Sequence, residues 1–145
     1  MSATLANFAE IAAEGKNIVL TTAPGIGTVS RALSTLEDAG LSIGHLDVQV
    51  TSMPMPMLNV LVDDGDALRP ILHNDVLNAE VLFFDGIDGA HPYVLKALTE
   101  VMTSRTLYGE ALPSVKSVVA IFIGDSEDAP AQIIELPNTV TLNVR

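Results

Sequence analysis

The residues best spaced for chemistry are Thr22-Ala-Pro-Gly-Ile-Gly-Thr28-Val-Ser-Arg31, which follow a strand-like apolar run and open a helical pattern. In such a turn, glycines let backbone N–H groups approach a phosphate, and the helix N-terminus adds partial positive charge. Three readings fit. Gly25-x-Gly27-x-x-Ser30 is close to a dinucleotide-binding pattern, with Asp47 about 20 residues on as the ribose-binding acid. Asp47, however, lies inside its strand-like run, whose end is occupied by Val50 and Thr51. The second reading is the phosphate loop G-x-x-x-x-G-K-[ST]. Here Thr22 stands at the first glycine, Thr28 at the lysine and Val29 at the magnesium-binding hydroxyl. Lysine holds the β- and γ-phosphates and the hydroxyl ligates the metal, so both of those functions lack their side chain. The third reading is a tight strand-to-helix turn that needs no ligand.

A second segment bears on the choice. The apolar run from Ala79 ends as Phe84-Asp85-Gly86-Ile87-Asp88. It continues through His91-Pro92 and Ala97-Leu98 to Arg105, Gly109 and Glu110, and a further apolar run carries Val118-Val119-Ala120. This series resembles the Walker B region of MoxR/RavA-type AAA+ ATPases, in which a strand ends in Asp-Glu-Ile. An Ala-Pro helix and a Glu-Arg-x-x-x-x-Gly-Glu hairpin then follow. The resemblance extends over residues 17–145 and is most specific between Asn78 and Glu110. It implies a five-stranded parallel sheet in the order 5-1-4-3-2, with Gly25, Gly27, Thr28 and Asp85 as a vestigial nucleotide site. Asp85 would be the magnesium-side carboxylate, whereas Gly86 replaces the glutamate that polarises water. No asparagine follows Ala120 at the sensor position, and Asp125 is near but shifted. With the chain ending after its fifth strand, the helical lid and its sensor arginine are expected to be missing, and no arginine finger is assignable. Without the resemblance, Asp85 and Asp88 are strand-end and helix-entry carboxylates in solvent.

Other clusters carry weaker signals. Asp63-Asp64-Gly-Asp66 lacks the remaining ligands of a twelve-residue calcium loop, and favourable charge at a helix N-terminus explains it more simply. In Met53-Pro-Met-Pro-Met57 the prolines exclude helix and central strand, so Met53, Met55 and Met57 sit on a loop. That loop either packs on the core or offers an adaptable partner-binding patch. His45, His73 and His91 have no metal-ligand spacing, and the absence of cysteine removes disulfides, thiolate sites and a thiol nucleophile.

These residues must be positioned by alternating strands and helices. Strand-like runs span residues 17–22, 42–50, 79–85, 117–123 and 139–144, the third and fourth being near-continuously apolar as in doubly covered parallel strands. Helical periodicity covers 3–14, 27–39 and 92–104, and a weaker helix is expected over 65–74, limited by Pro70. The alternation predicts one α/β domain over 1–145, a three-layer sandwich.

Composition narrows function further. The net charge of −11 and 4% aromatic content disfavour nucleic acid, since seven basic residues are scattered among eighteen acids. No apolar run approaches the roughly 18 residues of a membrane span, and no targeting signal opens the chain, so a cytoplasmic location is expected. The expected function is a catalytically inactive AAA+-like assembly, adaptor or regulatory subunit, working through a protein partner or self-association. The alternative is a slowly hydrolysing nucleotide-binding subunit completed by a partner chain. No metal site or cofactor is expected beyond weak binding of ATP and magnesium.

Overall fold

The computed structural model describes residues 7–47, 58–64, 67–72, 79–89, 92–107 and 109–144. Its centre is β1 (Asn17–Thr22), a run rich in Ile, Val and Thr with all six residues buried. β1 pairs in parallel with β8 (Ser117–Ile123) on one side and with β9 (Thr139–Val144) on the other. β8 in turn pairs with β5 (Val81–Asp85), and β5 with β2 (Ile43–Asp47), again in parallel. The sheet order is therefore β2-β5-β8-β1-β9. Numbered within the sheet alone, this is the 5-1-4-3-2 order that the resemblance implies.

Alternation along the strands sends side chains to two cores. Ile18, Leu20, Val81, Phe83, Val119 and Ile121 face α1 (Phe8–Ala13) and α2 (Thr28–Asp38), packing with Phe8, Ala12, Ala32 and Leu36. Val19, Leu82, Phe84, Val118, Ala120 and Phe122 face the opposite side and α3 (Pro92–Ser104). Proline is suited to the first turn of α3, where its missing N–H costs no helical bond. Val94, Ala97, Leu98, Val101 and Met102 then recur on one stripe. A short α4 (Ala131–Ile134) contributes Ile133 to the same core. Helices on both faces make the expected three layers.

One expected element differs. Residues 67–72 form a strand, β4 (Ala67–Leu72), antiparallel to β3 (Leu58–Asp64), where a helix over 65–74 is expected from the sequence. The physical reason is local: the sequence between the Val-containing run and the run with Pro70 is Gly65-Asp66, a two-residue connection of hairpin composition. Proline is tolerated in such a two-stranded ribbon, where a ladder donor is not needed at every position. Asp63 and Asp64 thus end a strand rather than begin a helix. The expected hairpin after α3 is present as β6 (Thr106–Leu107) and β7 (Glu110–Ala111). The loop carrying Met53, Met55 and Met57 lies outside the described residues, as do 48–50, His73 and His91.

Candidate functional site

In open parallel sheets, ligands bind beyond the carboxyl ends of the strands. At that end, β1 leads into α2 through Ala23–Gly27. Gly25 and Gly27 take φ of 77° and 73°, conformations L side chains rarely adopt, and a Cβ at either would meet nothing within 4 Å. The glycines serve the backbone path and leave open space above it. Gly27 caps α2 without a side chain, so the first-turn N–H groups have no side-chain cap bond. The loop frames a depression of about 160 Å³ lined by residues 22–30 and Ile123.

The two side chains that mark the departures from a phosphate loop meet each other. Thr28 Oγ1 lies 2.6 Å from Thr22 Oγ1, and both residues are buried. Thr28, which the resemblance sets at the lysine's place, is therefore buried and hydrogen-bonded to Thr22, which it sets at the first glycine's. Val29, at the metal-binding hydroxyl, packs against the core cluster beneath α2. A cation does lie nearby: Arg31 Nη2 donates to the Ile26 carbonyl at 3.3 Å.

Asp85 ends β5 but does not line the depression, because β8 lies between β5 and β1. Its carboxylate lies 3.2 Å from His45 Nε2, whose ring stands edge-on to Phe83 with centroids 5.5 Å apart. The register explains the trio: His45 pairs with Phe83, and Asp85 follows two residues along on the same face. Gly86, which the resemblance sets at the glutamate's place, has φ of 84° and is buried, a backbone turn that suits glycine. Asp88 is exposed, yet its Oδ1 accepts the N–H of Ile123 at 3.2 Å, joining the turn after β5 to the end of β8. Neither aspartate is simply a solvated terminus. β8 reaches the depression with the exposed side chain of Ile123, and Asp125 is exposed just beyond.

Sequence reasoning places Gly25, Gly27 and Thr28 in one loop, and the structure brings them together with Ile123. It misses the Thr22–Thr28 bond and His45 as the partner of Asp85. Only the sheet register, which no local spacing encodes, reveals His45.

No protein-family model matches the chain, and no curated protein matches its sequence. By structure, 235 solved chains match, so the architecture is too widely shared to specify an activity. Among them is the crystal structure of a protein from Cytophaga hutchinsonii provisionally named an ATPase, with a TM-score of 0.65 and 15% identity. The match covers 97% of this chain and 45% of that one, so the chain spans less than half of its neighbour's length. At that identity the likeness speaks for the fold alone: the chain shares that protein's α/β core, here a five-stranded parallel sheet with helices on both faces.

Proposed function

We propose that residues 1–145 form one AAA+-like domain that has given up ATP hydrolysis and works through protein contacts, as an assembly, adaptor or regulatory subunit. The observation that carries this reading is the Thr22–Thr28 hydroxyl pair, which fills the lysine's place with a neutral, inward-facing group. Phosphoryl transfer is catalysed by positioning and electrostatic stabilisation, so losing the cation removes much of what such a site does. The left-handed turn at Gly86 supports the same reading, since a water-polarising carboxylate there would have to accept strained backbone. No helix among the described residues is long and apolar enough to cross a membrane.

The test is magnesium-dependent phosphate release from ATP. The proposal expects none above background, in the wild type and in Asp85→Ala alike. Turnover that Asp85→Ala abolishes would overthrow it. One observation favours a second reading: the Arg31 guanidinium at the Ile26 carbonyl places a cation beside the loop. It would suit a nucleotide-binding subunit that hydrolyses slowly once a partner chain completes it. Arg31→Ala separates the two, because it weakens nucleotide binding only under the second.

A further inference from the structure

The two exposed large hydrophobic side chains among the described residues, Ile26 at 37% and Ile123 at 36%, belong to different elements yet line the same depression. Ala23, Pro24 and Val29 add to its apolar wall, while the hydroxyls of Thr22 and Thr28 are occupied with each other. A volume of about 160 Å³ is well under the roughly 300–1,000 Å³ of drug-sized ligand sites and leaves room for one anchoring side chain. Exposed carboxylates accompany Ile123: Asp88, whose Oδ1 accepts its backbone N–H, and, in the turn that follows β8 along the chain, Asp125, Glu127 and Asp128. Arg31, beside the loop, has its guanidinium turned to the Ile26 carbonyl. An apolar dish with an acidic margin is complementary to a basic segment carrying an aliphatic anchor.

We infer that the degenerate phosphate loop is a docking surface, with Ile26 and Ile123 receiving an aliphatic side chain from a lysine- or arginine-rich segment of a partner protein. The inference rests on the reading of this chain as an inactive scaffold and names the face that scaffold uses. The carboxylates would steer the segment and the isoleucines would hold it, so charge governs encounter and apolar burial governs residence.

The experiment records amide chemical shifts of the isotope-labelled protein against a synthetic peptide in which one leucine is flanked by lysines. Control peptides carry glycine in place of leucine, or glutamates in place of lysines. The lysine–leucine peptide should shift the amides of residues 25–30 and 123–125. Ile26→Ser/Ile123→Ser should weaken binding about tenfold or more. Asp125→Lys/Glu127→Lys should weaken it too while leaving the apolar wall intact, and added salt should act in the same direction. Shifts elsewhere, equal binding of the glutamate peptide, or no binding would overturn the inference. So would concentration-dependent shifts at these amides without peptide, which would assign the dish to a second copy of the chain. Magnesium ATP is the companion titration. A silent nucleotide with a failed peptide removes only the docking surface, whereas micromolar ATP binding at the same amides removes the scaffold reading with it.

Discussion

Where the strands of the parallel sheet begin, one half-buried guanidinium and several amide and hydroxyl groups tie backbone turns together; where they end, side chains pair with one another, Thr22 with Thr28 and His45 with Asp85. At the starting end, Arg105 donates to the carbonyls of Val101 and Met102 through Nη1, and to those of Gly15 and Lys116 through Nη2. One guanidinium thus joins the end of α3 to the turns entering β1 and β8. Burial pushes its pKa below the ordinary value, and the residue holds a left-handed φ of 55°. Asn17 donates to the Met102 carbonyl, Asn138 to that of Gly15 and Ser117 to that of Lys16, while Glu80 bridges Ser42 and Lys116. At the finishing end, Thr22 bonds Thr28 and Asp85 faces His45. The difference teaches where this chain spends its charge: on closing the fold at one end, with no cation from lysine held over the loop at the other.

Breaking the starting end should give the largest effect. Arg105→Ala leaves several carbonyls without a charged donor and should cost about 3 kcal/mol in chemical denaturation. Arg105→Gly should recover about 1 kcal/mol of that by relieving the left-handed backbone. A loss under about 1 kcal/mol for both would show that the starting end is not what holds the fold.

Changes at the finishing end should cost less. Gly86→Glu should destabilise by about 1–2 kcal/mol, because a side chain there carries the left-handed penalty. It should also fail to create phosphate release. Thr28→Val should cost about 1 kcal/mol by removing the buried partner of the Thr22 hydroxyl, which keeps only the Ala23 carbonyl at 3.3 Å. Pairing it with Thr22→Val should restore most of that, giving a coupling of about 1 kcal/mol in a double-mutant cycle. Additive losses would mean that the two threonines act separately.

The smallest effect concerns acid. The backbone N–H of Ser42 and then the ammonium of Lys116 hold the Glu80 carboxylate below its ordinary pKa. A depressed folded-state pKa contributes stability above the unfolded value, and that contribution is lost as pH falls through the folded one. Glu80→Gln should therefore flatten the acid limb of a stability–pH profile and change little at neutral pH.

The fold was largely legible because apolar runs and periodic stripes state it locally: β1, α3, β8 and β9 have the bounds their residues suggest. The strand order followed from a resemblance whose matching residues run through β5, α3 and the β6–β7 hairpin. The β3–β4 ribbon is less legible: Leu68, Ile71 and Leu72 mimic half a helical stripe, and the Gly-Asp pair between the two strands reads as acidic charge at a helix start as readily as the connection of a hairpin. At the site, the missing lysine and glutamate were visible as letters. Their consequences were not, since Thr22 meets Thr28 only once the loop has folded back. The match of His45 to Asp85 depends on a strand pairing separated by 40 residues.

The central claim is that the loop no longer holds a triphosphate, and calorimetric titration with magnesium ATP tests it most directly. The account predicts a dissociation constant of about 1 mM or weaker for the wild type. It predicts binding about tenfold or more tighter for Thr22→Gly/Thr28→Lys/Val29→Thr, which returns the cation and the metal-binding hydroxyl. Micromolar binding by the wild type, weakened by Asp85→Ala, would contradict it.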